Sequence, residues 1–183
     1  MTARFTIRVF RRAGGGMSVT RTVAISLGFW ALMASGAEAQ EVGSRAPAFE
    51  LPTANKPVRL ADLRGQVVYV DFWASWCAPC KLSFPFMNEL QGKYSRLGLT
   101  IVAISLDRKR EDADKFLASM PAKFLVAYDT ENKVAQLYQP KGMPTSFLIG
   151  SDGNVRAVHV GFREDDREKI EREIRLALGV ARK

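Results

Sequence analysis

Two cysteines stand three positions apart in Trp76-Cys77-Ala78-Pro79-Cys80, and the 183-residue chain has no others. Such a pair can move two electrons: one thiolate attacks a disulfide, and the second thiol releases the product by closing a bridge to the first. Position decides whether the pair is reactive. Gln66 to Trp73 is β-branched and aromatic with a single acid, Asp71, which predicts a buried strand. Lys81 to Leu97 predicts a helix. The cysteines therefore fall where a strand hands over to a helix. Free backbone N–H groups and the macrodipole at that helix end favour an anion and lower the pKa of a thiol placed there. Cys77 is the expected nucleophile, the more exposed of the two. Cys80, one turn in and more buried, is the expected resolving thiol. Pro79 suits a first helical turn, where its missing N–H costs little.

Other uses of the pair fit less well. A bridge over so short a loop constrains the unfolded chain little, so a structural staple is a poor account. A structural zinc site needs four ligands, and the single histidine, His159, is about eighty positions away. No metal site is expected. Two thiolates could carry Cu(I) as a transferable ion, and a Cu(I) metallochaperone is one alternative. A thiol peroxidase is another, although Ala74 stands where a peroxide-orienting threonine would be expected.

Around the dithiol, Asp71 is a carboxylate in an apolar strand. Burial should raise its pKa, which suits it to accept or relay the proton of the resolving thiol; the other possibility is an acid facing solvent on an edge. Trp73 reads as core packing beside the site. Trp76, next to the thiol, reads as a substrate-contact surface.

The positioning elements follow from local patterns. Gln40 to Asn55 reads as an extension, with a short hairpin, laid on the main domain. Pro57 to Gly65 reads as a short strand and one helical turn. Leu82, Phe86, Leu90 and Leu97 should share the inner face of the dithiol helix, which Pro85 should kink and Gly98 should end. Strands are predicted over 99–106, 123–127, 145–149 and 155–160, with Asp152-Gly153 turning the last hairpin. Helices are predicted over 108–120, 131–138 and 163–178. The last should carry Asp165–Lys169, Glu168–Arg172 and Glu171–Arg175 pairs outside. The order β-α-β-α-β-α-β-β-α predicts an α/β fold with a mixed central sheet flanked by helices.

Residues 1–39 have the order of a secretory signal: five arginines, an apolar run from Val23 to Ala34, then Ala37-Glu38-Ala39. An uncleaved membrane anchor is the alternative, and Met17 is an alternative start. The expected domain is 40–183, and the expected location is the periplasm. The leader holds five arginines and one glutamate, so the net charge of +8 falls to +4 without it. No basic stripe with interleaved aromatics is present, which argues against nucleic-acid binding.

The run Val70-Asp71-Phe72-Trp73-Ala74-x-Trp76-Cys77-x-Pro79-Cys80-Lys81, followed by Pro85 and Pro144-Thr145, resembles thioredoxin. The leader, the extension and the added strand–helix material between Asp107 and Tyr128 resemble the TlpA/ResA/DsbE-like branch of exported thiol–disulfide oxidoreductases. The resemblance implies a thioredoxin fold with a strand–helix insertion. It also implies a cis Met143–Pro144 bond packed on the dithiol, with Met143, Pro144 and Thr145 contacting an extended substrate segment. It supports Asp71 as the buried acid. Thioredoxin keeps a lysine near that acid, where this chain aligns Ala103. Ala78-Pro79 between the cysteines resembles the reducing members, so the resemblance implies a periplasmic reductant whose redox-active disulfide, Cys77–Cys80, needs no other cofactor. Its implied partners are protein disulfides, of apocytochrome c or copper-site proteins, and a membrane thiol donor of the DsbD or CcdA type.

Overall fold

The computed structural model of the protein describes residues 41–180. The signal segment expected over 1–39, and Met17 within it, lie outside the described residues. Among the described residues no helix is long and apolar enough to cross a membrane.

Two short strands, β1 (Glu50–Leu51) and β2 (Val58–Arg59), pair antiparallel as the expected hairpin, and a 3-10 turn over Leu60–Leu63 follows. The main sheet comprises β3 (Val67–Trp73), β4 (Leu99–Ser105), β5 (Leu125–Tyr128), β6 (Thr145–Ile149) and β7 (Val155–Val160). Its order is β5-β4-β3-β6-β7, with β3–β4 and β4–β5 parallel and β3–β6 and β6–β7 antiparallel. The helices are α1 (Ala78–Tyr94), α2 (Arg110–Ser119), α3 (Lys133–Tyr138) and α4 (Arg167–Ala177). The element order is the one expected, and α2 with β5 is the added helix–strand unit.

Every residue of β3 is buried, as an apolar central strand covered on both faces must be. Alternation splits it between two cores. Val67, Tyr69 and Trp73 face α1, α2 and α4. Val68, Val70 and Phe72 face α3 and the N-terminal hairpin. Tyr138 on α3 pins that extension by donating to the Pro47 carbonyl at 2.8 Å. On the first face Trp73, Phe84 and Phe116 form a ring triad, with centroids 4.8–5.0 Å apart. Each such buried side chain contributes about 1.5–3 kcal/mol.

Three expectations need correction. α1 begins at Ala78 rather than Lys81 and gives way after Tyr94 to a 3-10 turn, which Gly98 ends at φ 97°. It buries the expected Phe86 and Leu90 together with Cys80, Phe84, Met87 and Tyr94, whereas Leu82 and Leu97 are 51% and 53% exposed. The Leu82–Phe86–Leu90 and Cys80–Phe84–Met87 stripes both obey helical spacing. The one carrying the resolving thiol and an aromatic that fits between Trp73 and Phe116 faces the sheet. On α4, Glu171 accepts from Tyr94 Oη at 2.6 Å and Lys93 Nζ at 3.3 Å of α1, and Arg167 reaches Glu89 at 2.6 Å. The charges of α4 thus fasten it to its neighbour as well as lining its own surface.

Candidate active site

Cys77 is the N-cap of α1, in extended backbone (φ −84°, ψ 106°), and its sulfur accepts from the Cys80 N–H at 3.2 Å. The two cysteines are joined as a disulfide. Cys77 keeps 4% exposure and Cys80 none, the asymmetry that an attacking and a resolving thiol require. Ala78 and Pro79 lie exposed in the first turn. The helix end therefore aims the Cys80 N–H at the Cys77 sulfur, a position that favours negative charge.

The loop before Cys77 is clamped by a residue that the sequence reading passed over. Asp107, just beyond β4, accepts from Ser75 N at 2.9 Å, Ser75 Oγ at 2.8 Å and Ser105 Oγ at 3.0 Å. This ties the approach to Cys77 onto the end of the neighbouring strand. The available signal was Ser105-x-Asp107 at a strand end, polar residues with no place in an apolar run.

Trp76 is 71% exposed, while Trp73 is sealed in the core. Trp76 and Met143 line one open groove of about 670 Å³ together with Leu106, Arg108 and Lys141. The Met143–Pro144 bond is cis, and Met143 packs on the core cluster that contains both cysteines. Thr145 is buried, and its hydroxyl donates to the Gly142 carbonyl at 2.8 Å, holding the turn before Pro144.

Asp71 lies on the same face of β3 as Tyr69 and Trp73, the face covered by α1, and is 1% exposed. Burial pushes its carboxyl from an ordinary 3.8 up to about 7, partly opposed by the Ser146 hydroxyl, which donates to Oδ1 at 2.6 Å. Oδ2 has no partner. The edge-facing possibility for Asp71 is thus excluded. Ser146 was also legible only as an oddity, a hydroxyl beside Thr145 at the start of an otherwise apolar strand. Ala103 is the register partner of Asp71 on β4, so that side offers no cation.

Comparison with known proteins agrees with this geometry. The family model described as Redoxin matches residues 41–174. The thiol-disulfide oxidoreductase ResA of Bacillus cereus is 36% identical over 135 residues, covering 73% of this chain and 77% of its own. ResA of Bacillus subtilis is 36% identical over 128 residues, covering 69% and 72%. A crystal structure from Chlorobium tepidum, assigned as thiol:disulfide interchange protein DsbE, superposes with a TM-score of 0.76 at 52% identity. It covers 77% of this chain and 100% of that one.

Proposed function

The chain belongs to the Redoxin family and is a thiol–disulfide oxidoreductase, and we propose that it is an exported reductant of protein disulfides, acting in the periplasm after removal of residues 1–39. The observation that carries this reading is the dithiol at the N-terminus of α1, with only Ala78 and Pro79 between its sulfurs. No cation lies between the cysteines to add to the thiolate stabilisation of the helix end, and a less stabilised thiolate makes a more reducing couple.

In the proposed cycle the Cys77 thiolate attacks a client disulfide, forming a mixed disulfide and expelling a client thiolate. Cys80 gives its proton to the Asp71 carboxylate and attacks Cys77 Sγ. The second client sulfur leaves as a thiolate, and Cys77–Cys80 closes. Two electrons pass from the dithiol to the client. Trp76, Met143 and Pro144 hold the client as an extended segment, and Thr145 supports them through Gly142. The clients are apocytochrome c or copper-site proteins whose cysteines must be reduced before a cofactor enters. A membrane thiol donor of the DsbD or CcdA type restores the dithiol.

Titration against glutathione buffers, read by the fluorescence of Trp73 and Trp76, is expected to give a potential below about −200 mV; a value near about −120 mV, that of strong oxidants, would overturn the reductant reading. The Cys80→Ser variant should trap mixed disulfides with clients in periplasmic extracts. Mature protein beginning at Gln40 in that fraction tests export.

A further inference from the structure

A buried polar row crosses three strands beside the dithiol helix. Asp71 on β3 is the register partner of Ser146 on β6, and Ser146 is that of His159 on β7. Residues directly opposite in antiparallel strands project to the same face, with Cβ atoms about 4.5–5.5 Å apart. The three side chains therefore stand in line on the face that α1 and α4 cover. Ser146 Oγ donates to Asp71 Oδ1 at 2.6 Å. His159, 9% exposed, has Nε2 at 2.6 Å from Glu173 Oε2 on α4. The Glu173 side chain is 27% exposed and meets solvent. Tyr69, two residues from Asp71 on the same face, packs its ring on His159 with centroids 6.3 Å apart. The Ser146 hydroxyl also acts on the Tyr69 phenol.

Two atoms of this row lack a partner among the described residues: Asp71 Oδ2 and His159 Nδ1. A buried polar atom without a partner is costly, and each such exception calls for an explanation, a chemical role among them. On its other flank Asp71 meets Ala103, which carries no proton. Tyr69 shares the row's face of β3, Cys80 of α1 belongs to the same core cluster as Tyr69, Glu173 of α4 contacts His159, and the charges of Glu173 and of Asp166 before α4 both act on the Tyr69 phenol.

We propose that Ser146, His159 and Glu173 form a proton outlet through which Asp71 exchanges with solvent beneath α4. The inference rests on the reading of Asp71 as acceptor of the Cys80 proton. The Ser146 hydroxyl must first turn from Asp71 Oδ1 to its register partner His159, whose Nδ1 it does not contact in this structure; it then gives its proton to Nδ1 as Ser146 Oγ takes the proton of the carboxyl. The ring then releases its Nε2 proton to the Glu173 carboxylate, which yields it to water. One proton travels from the Cys80 thiol to solvent, and no electrons move. Ser146, His159 and Glu173 act through Asp71 and are positioning residues.

The test is single-turnover reduction of a neutral aromatic disulfide, 2,2′-dithiodipyridine, by the reduced protein across pH 5–9. Resolution by Cys80 is compared with attack by Cys77, measured separately in a Cys80→Ser background. Asp71→Asn should lower the ratio of resolution to attack about a hundredfold, and His159→Phe and Glu173→Gln about tenfold each, with the solvent deuterium isotope effect on resolution altered. Ser146→Thr should keep the ratio and Ser146→Ala should lose it, a split that a packing role does not produce. Glu173 is partly exposed, so Glu173→Gln serves if His159→Phe folds poorly. If Asp71→Asn slows resolution while His159→Phe or Glu173→Gln leave ratio and isotope effect unchanged, the outlet is overturned and the acid stands. If Asp71→Asn has no effect, the reading of Asp71 fails and the outlet with it.

Discussion

Asp71 and Asp107 are carboxylates on or just beyond adjacent strands of one sheet, 1% and 4% exposed, and their surroundings differ in one respect. Asp107 has both oxygens filled, by one backbone and two hydroxyl donors. Asp71 has one donor and a bare oxygen. A buried carboxylate whose lone pairs are filled can serve as an anchor; one left short is pushed toward its neutral form. Counting donors thus separates the acid that holds the Ser75–Cys77 loop from the acid that can trade a proton near neutral pH.

The largest expected effect is on the under-satisfied acid. The carboxyl of Asp71 rises from 3.8 to about 7 in the folded protein, so between these values the folded state keeps a proton that the unfolded chain has released. That contribution is full below about pH 4 and is lost as pH rises through about 7. Asp71→Asn, neutral throughout, should therefore stabilise the oxidised protein at pH 8, by up to about 4 kcal/mol, and change little at pH 4. Urea midpoints at the two pH values check this, and an equal gain at both would break the comparison. Asp107→Ala should act in the opposite direction, with a loss of about 2–3 kcal/mol at pH 8 from donors left unpaired around Ser75 and Ser105. Faster proteolysis at Ser75–Trp76 should accompany it. Smallest is Ser146→Ala: losing the hydroxyl should raise the Asp71 carboxyl further and lower stability by about 1 kcal/mol at pH 8, more than at pH 4. A loss independent of pH would show Ser146 to be packing alone.

Much of this site was legible because its signals are local. Cys77, Pro79 and Cys80 lie within one helical turn, and the strand before them shows its single acid against a run of Val, Tyr, Phe and Trp. The choice between two helical stripes on α1 was not legible, since both place apolar residues at i, i+4 and beyond. Contact with Trp73 and Phe116 selected the stripe with Cys80 and Phe84. Thr145 was a candidate substrate contact only through the resemblance to thioredoxin, and the inward turn of its hydroxyl to Gly142 was not legible in the sequence.

By itself, the sequence determined the element order, the dithiol at a helix N-terminus and the place of Asp71 in an apolar strand, because periodicity and end effects act within about ten residues; that Asp71 is buried and not at an edge was decided by the assembled sheet. The tertiary structure alone decided which hydroxyls meet which acids. Ser146 reaches Asp71 across 75 positions and Ser75 reaches Asp107 across 32. The alignment of Asp71, Ser146 and His159 is a matter of strand register, and a slip of one residue would turn each side chain to the opposite face. Register is set by how whole strands pack, so the partners that tune the dithiol appear only when the sheet is assembled.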